Sequence, residues 1–174
     1  FFAWTPPLPA VLTRRTTLAV AGAGGTVLLR RHANMTTGAA RRLVFYGSAQ
    51  WRAHQAAYDK AVQITTPLTA GRDGSLYFGF TVSGPTPAHL ASGIARIGLH
   101  GHATWISAAA AAGTPAMKGV AMNCAPALSP SGRTVYIAVT TVAIGVVPPA
   151  DLARSSAPLA DAARVMWGSI GGVL

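Results

Sequence analysis

Chemistry in this chain has to come from a short list of side chains. His100-Gly101-His102 is the first candidate. Two imidazoles at i and i+2 face the same way on a strand and can share a metal ion. A third ligand is then required, and His89 and Cys124 are the candidates. The competing assignment is a glycine-centred hairpin turn carrying two exposed imidazoles, and the flanking residues favour it. Gly22-Ala-Gly-Gly25 follows a strand-like run, as a dinucleotide-binding loop does. The next residues, Thr26-Val-Leu-Leu-Arg30, are strand formers rather than a helix start, and the third spaced glycine is missing. A hairpin between strands is expected there. Cys124 lies between Asn123 and an apolar segment, with no cationic neighbour in sequence, and is expected to be a small buried residue. Asn34-Met-Thr36 fits the N-glycosylation triplet, which matters only in a eukaryotic secreted protein. There is no Gly-x-Ser-x-Gly elbow, and no serine has a histidine and an aspartate arranged around it in sequence. No residue is therefore assigned a catalytic, cofactor-binding or metal-binding role.

Composition narrows the chemistry further. Of 174 residues, 51% are hydrophobic, enough to bury a sizeable core and to exclude disorder as the main state. The 14 Lys+Arg face four Asp (Asp59, Asp73, Asp151, Asp161) and no Glu. That excludes paired-Glu glycoside hydrolysis and Glu-built metal cages. A single cysteine excludes an intrachain disulfide and any multi-Cys zinc site. The net charge of +10 points to an anionic partner such as nucleic acid or a membrane surface. Yet nearly all of it is Arg, which shares GC-rich codons with the abundant Ala, Gly and Pro, so base composition alone can produce the excess. The pairs Arg14-Arg15, Arg30-Arg31 and Arg41-Arg42 each adjoin an apolar strand-like segment without interleaved aromatic residues. They read as solvated strand ends and turns rather than a nucleic-acid site.

The elements that position these residues come from an internal repeat. Three phrases share one pattern: Pro9-Ala-Val-Leu-Thr-Arg-Arg-Thr-Thr-Leu18-Ala-Val-Ala21, Pro67-Leu-Thr-Ala-Gly-Arg-Asp-Gly-Ser-Leu76-Tyr-Phe-Gly79 and Pro126-Ala-Leu-Ser-Pro-Ser-Gly-Arg-Thr-Val135-Tyr-Ile-Ala138. In each, the aliphatic residue opening the second strand lies nine places after the proline, and the prolines are 58 and then 59 residues apart. Each phrase makes sense as a hairpin. The proline starts a strand where its missing N–H costs no ladder bond, and Asp73-Gly74 and Ser131-Gly132 supply the positive φ of a tight turn. The strand that follows is apolar on alternate positions or throughout: Leu76, Phe78 and Phe80 on one face with Tyr77 and Thr81 on the other, then Val135, Ile137 and Val139. Strands apolar on both faces belong inside stacked sheets. Residues 25–30 and 42–46 complete the first unit around the turn-like 34–38. Residues 93–98 and 103–107 complete the second around 99–102. About four strands per repeat of this length is the signature of propeller blades.

At this point the residues resemble a family. Thr66 to Gly79 and Ala125 to Ala138 look like the opening of a blade in the quinoprotein (PQQ-like) β-propeller repeat group, and Gly93 to Trp105 is similar to that group's second half-blade. The resemblance covers roughly residues 5 to 140. It implies an all-β fold: a β-propeller fragment of about three four-stranded blades, where closure takes roughly six to eight. Quinone-dependent dehydrogenases of this group bind Ca²⁺ and PQQ through acidic residues, often with a vicinal disulfide and a catalytic Asp. No position here matches one of those ligands, so no cofactor or catalytic residue is carried over.

Residues 1–141 are thus expected to hold the blades, with a short helical insertion near 50–58 in which Trp51, Gln55 and Tyr58 share one side. This insertion is a place to look for a functional surface. Ala108 to Ala112 is expected to be a helix turn or a connector. Residues 142–174 depart from the pattern: Ser156 as cap, Pro158 in the first turn, Asp161 near the start and Gly168 as stop mark a helix over 157–167. Either a terminal helical cap begins there or the reading frame has shifted near residue 142. The longest uncharged apolar stretch, Thr134 to Ala150, is too short for a membrane span and ends at Pro148-Pro149, so no transmembrane segment is expected. Phe1 to Leu12 does not read as a signal peptide, and a cleaved mature protein or a fragment is expected. The leading expectation is a non-enzymatic binding or scaffold module, part of a larger exported (extracellular or periplasmic) protein, whose blade-edge loops meet a protein or small-molecule ligand. The alternatives are a fragment of a quinone- or metal-dependent propeller enzyme with its catalytic blades elsewhere, and a small basic nucleic-acid binder.

Overall fold

A computed structural model describes residues 8–13, 16–120, 122–132 and 135–136. The chain is mostly β. Strands β1 (Val11–Leu12), β2 (Leu18–Gly22), β3 (Thr26–Arg30) and β4 (Ala40–Val44) form an antiparallel meander in that order. Two short helices follow, α1 (Ser48–Ala53) and α2 (Gln55–Ala61). Then come β5 (Val62–Ile64), β6 (Thr69–Ala70), β7 (Leu76–Val82), β8 (Gly93–Ile97) and β9 (Ala103–Ser107). They make a second antiparallel sheet of order β5-β7-β8-β9, with β6 also paired to β7. After helix α3 (Ala108–Ala112), β10 (Ala127–Leu128) and β11 (Val135–Tyr136) form a two-stranded ribbon. The expected helix at 157–167, the frame question near 142 and the strand residues Ile137 and Val139 lie outside the described residues.

The three proline phrases fold alike. Val11 pairs with Ala19 and Leu12 with Leu18, just as Thr69 pairs with Tyr77 and Ala70 with Leu76. Ala127 and Leu128 pair with Tyr136 and Val135. The Thr13 N–H donates to the Thr17 carbonyl (2.9 Å), and the equivalent Gly71 N–H donates to Ser75 (2.7 Å). Inside the turn, Gly74 N–H donates to Gly71 (2.9 Å) and Gly132 N–H to Ser129 (2.8 Å). Thr16, Gly74 and Gly132 occupy the same left-handed position, with φ of 51°, 80° and 70°. This is a three-residue hairpin loop whose last member must take positive φ. The β8–β9 connection repeats it: Gly98 N–H to His102, Gly101 N–H to Gly98 (both 2.8 Å), and φ of 91° at Gly101. In the third phrase one extra residue separates the strands, and the strand starts one place nearer Pro126, so the nine-residue spacing survives.

Pro67 sits where β5 gives way to β6 along β7. Four residues, Thr65 to Leu68, face only two of β7 there, so the ladder is interrupted. The Gly79 N–H donates to the buried Thr66 hydroxyl (2.8 Å), a side chain standing in for the missing backbone acceptor. Proline's lack of a donor is harmless at such a bulge.

The core lies between the two sheets. Ala19, Val27, Leu29, Leu43 and Phe45 from the first pack with Leu76, Phe78, Phe80, Ala95 and Ile97 from the second. Phe45 touches both Phe78 (centroids 5.8 Å apart) and Phe80 (4.4 Å). Burying Leu76, Phe78 and Phe80 on one face of β7 is what the alternation predicted.

Several local expectations need correction. The single helix over 50–58 is two helices broken at His54, whose φ/ψ of −136°/36° is not helical. Trp51, Gln55 and Tyr58 do not share one side. Trp51 Nε1 (3.5 Å) and Gln55 Nε2 (3.3 Å) turn to the exposed Asp59 carboxylate, while Tyr58 is fully buried and stacks on Tyr46 at 4.2 Å. Gly24 explains the clasp: at φ 66° it brings bare backbone against Asp59 and Trp51, where a Cβ would stand 2.4 Å from Asp59 Oδ1. Its carbonyl accepts the Tyr46 hydroxyl (2.5 Å). Strand β4 begins at Ala40 rather than Arg42. Ala108 to Ala112 is a helix, capped by Ser107, whose hydroxyl accepts from Ala110 N–H, and ended by left-handed Gly113. Cys124 is half-buried rather than buried, because the segment before β10 runs over the surface.

Two stability outcomes follow. Gly74→Val places a branched side chain at positive φ with its Cβ 2.6 Å from Leu99 Cδ1. The urea midpoint should fall by the equivalent of about 2 kcal/mol. The Tyr58 hydroxyl is buried, with only a poorly formed approach to the Ala88 backbone to satisfy it. Burial pushes its pKa up, and the Ala88 backbone pulls it back only in part. Tyr58→Phe should hold or raise the midpoint, by up to about 1 kcal/mol. A clear loss in that variant would mean the hydroxyl has a partner in solution.

Candidate functional site

Antiparallel alternation decides which loops share an edge. In the first sheet the 13–17 hairpin and the 31–39 connection lie at one end, and in the second the 71–75 and 98–102 hairpins do. Gly22 to Gly25, the two helices and the 83–92 loop lie at the other. The hairpin ends of the two sheets meet where β4 faces the 98–102 turn: Arg41 Nη2 and Leu43 Cδ2 stand 3.1 Å and 3.8 Å from where a Gly101 Cβ would sit.

Between them opens a cleft of about 290 Å³, lined by Thr17, Leu29, Arg31, His32, Leu99 and His100. Leu29 is a core residue and Leu99 is half-buried against the core, so both offer apolar surface. Arg31, His32 and His100 are exposed. Their backbones are held. His32 has φ 52°, pinned by Ala33 N–H to the Thr16 carbonyl and Met35 N–H to the His32 carbonyl, both 2.9 Å. Arg31 N–H donates to Ala39 (3.2 Å). The Arg30 guanidinium donates to the carbonyls of Met35 (3.1 Å) and Thr36 (3.2 Å), folding the loop back on itself. His100 sits inside the tight turn closed at Gly98 and Gly101.

The described acid on this edge is engaged in its own turn. Asp73 accepts from the Ser75 N–H (2.9 Å) and hydroxyl (2.7 Å) and from Arg96 Nη2 (2.9 Å). Arg96 Nε also donates to the Tyr77 hydroxyl (3.1 Å). Bonds from Ser75, followed by Arg96, hold the Asp73 carboxyl below its ordinary pKa. The Arg96 pKa is pushed up, first by Tyr77 and then by Asp73. Asp73 is thus the turn residue its Asp-Gly context predicted.

His100 and His102 are two exposed imidazoles on a glycine-closed turn, as the flanking sequence favoured. Among the described residues no three of His, Cys, Asp and Glu come together as a metal site, and His89, exposed in the 83–92 loop, lies at the opposite edge from His100. Gly22 to Gly25 is a hairpin turn. Asn34 and Thr36 are exposed. Arg30, Arg31, Arg41 and Arg42 are exposed, while Arg14-Arg15 fall outside the described residues. Arg42 stacks on Trp51 at 4.6 Å, an aromatic contact that sequence spacing did not disclose. His32 and Leu99 also escaped the sequence reading, because nothing in Arg-Arg-His or Gly-Leu-His says which sheet the loop will face. No described helix is long and apolar enough to cross a membrane.

No family model, curated protein or solved structure matches this chain.

The Asp73 contacts carry a pH dependence. A carboxylate with a depressed folded pKa stabilises above its unfolded pKa of about 4 and loses that contribution as pH falls through the folded value. Asp73→Asn keeps an oxygen for the Ser75 N–H and removes the charge. Since the Asp73 side chain is 55% exposed, the deficit at pH 6 should be only about 0.5 kcal/mol. Urea midpoints should draw together with wild type as pH falls below the unfolded value of about 4; a pH-independent gap would assign the loss to turn geometry instead.

Proposed function

We propose that this chain is a non-enzymatic β-propeller binding or scaffold module, a segment of a larger exported protein, with its ligand at the hairpin edge. One observation carries the reading. The first two proline phrases close with the same three-residue hairpin in the same register, one in each sheet, and the third closes alike with one added residue. The sheets stack face to face, and β1 lies beside β6. The Thr69 hydroxyl on β6 donates to the Pro126 carbonyl (2.6 Å), tying the second phrase to the third. First strands brought together in succession suit blades arranged about an axis, and three phrases fall short of a closed ring. Export follows from the family the phrases resemble. A binding role is favoured because the edge presents cations beside apolar surface, with Asp73 already engaged in its own turn.

Reading the coding DNA on both sides, in all three frames, tests this. Further copies of the proline-to-strand phrase at the same 58–59-residue period are expected. A start codon and an in-frame stop bounding the 174 residues, with no further copies, would overturn it.

A further inference from the structure

The edge cleft has a chemical character more specific than a general binding face. We infer that it binds a small organic phosphate monoester, with the phosphate held by Arg31, His32 and His100 and the organic part lying on Leu29 and Leu99. The assignment rests on reading the hairpin edge as the binding face.

Three nitrogen-bearing side chains reach the cleft from two sheets: Arg31 and His32 from the 31–39 connection, His100 from the 98–102 turn. A phosphate offers three oxygens and up to two negative charges, so it can engage donors from both sides of a cleft. A carboxylate, with two oxygens in one plane, engages fewer. Arg supplies a planar fork suited to phosphate oxygens. Arg41, exposed on β4 and reaching toward Gly101, and Arg72, exposed on the neighbouring 71–75 turn, add positive potential on the same edge. Asp73, the described carboxylate of that edge, is paired with Arg96 and bonded by Ser75. Asp59 lies with the helices at the opposite edge.

Size and rigidity agree. About 290 Å³ is at the small end for ligand pockets, room for a ring-sized body and a phosphate rather than a dinucleotide. Leu29 and Leu99 give that body an apolar floor, which a bare phosphate ion would leave unused. The backbones behind His32 and His100 are fixed by the turn hydrogen bonds and by Arg30, so little ordering is lost on binding.

The five histidines supply the readout. His32, His100 and His102 lie at the hairpin edge, whereas His54 and His89 lie at the other. Phenyl phosphate, titrated into the 174-residue protein at constant ionic strength, should shift the ring signals of His32 and His100 saturably in a ¹H–¹³C spectrum. His54 and His89 should stay still. Arg31→Gln should weaken binding about tenfold, the loss of one charged hydrogen-bonding group. Arg52→Gln, at the opposite edge, should leave it unchanged. Inorganic phosphate and benzoate should each bind more weakly than phenyl phosphate. Equal binding of benzoate would overturn the phosphate assignment, and equal binding of inorganic phosphate would overturn the role of Leu29 and Leu99. Shifts shared with His54 and His89 would reduce the effect to general positive charge. The absence of any saturable shift would remove the ligand assignment and leave the module reading to the flanking DNA.

Discussion

Phe45 leaves the end of the first sheet and lies against Phe78 and Phe80 of the second, and the rest of the molecule is organised by that contact. Neither sheet can bury its apolar face alone. A four-stranded meander of two- to five-residue strands has one apolar face and needs a second layer. Stacking the sheets supplies it for both at once. The strands of β7 and β8 run apolar at alternate positions, so the register that turns Leu76, Phe78, Phe80, Ala95 and Ile97 toward Phe45 also fixes where their hairpins end.

The hairpins convert that packing into an edge with a definite chemistry. Each one needs a residue at positive φ, and the turn residues around it lie outside the ladder. Thr17 and Ser75 turn inward and are buried, whereas the basic residues Arg72, His100 and His102 are exposed. The edge is therefore positive because its turns expose these basic residues, and an Arg-rich sequence poor in acid has little else to offer. Asp73 gains its turn hydrogen bonds from Ser75 and its charge partner from Arg96 across the β7–β8 pair. That arrangement stabilises one turn, and among the described residues no other carboxylate stands on this edge beside the basic groups of the neighbouring loops.

The opposite edge solves a different problem. Helices α1 and α2 fill the space between the first sheet's last strand and the second sheet's first. They are joined to the Gly22–Gly25 turn by the stacked Tyr46 and Tyr58, by Asp59, and by Trp51 lying under Arg42. Burial, followed by the neighbouring Tyr58 and Asp59, pushes the Tyr46 phenol's pKa well above its ordinary value, so it stays a hydroxyl donor to the Gly24 carbonyl. This clasp holds an inserted segment on the core, and its groups are engaged with one another.

Local order was legible in the residues because turns and strand alternation are short-range. Pro67, Asp73-Gly74 and Leu76-Tyr-Phe-Gly-Phe80 each meet a steric or hydrogen-bonding demand within a few positions, and β9 was bounded correctly at Ala103 and Ser107. The helical pair was legible only as helical, since the burial of Tyr58 depends on its stacking with Tyr46, twelve residues away, and the clasp beside it on Gly24, thirty-four away. The cleft was not legible at all. The adjacent Arg31 and His32 stand about seventy residues from His100 in sequence, and the three gather only because two sheets stack with their hairpin ends level. By itself the sequence determined the repeat, the turns and the scarcity of acid, because these are properties of neighbouring residues. Which loops face each other, and so where the cations converge on apolar surface, was decided by the burial of one sheet against the other.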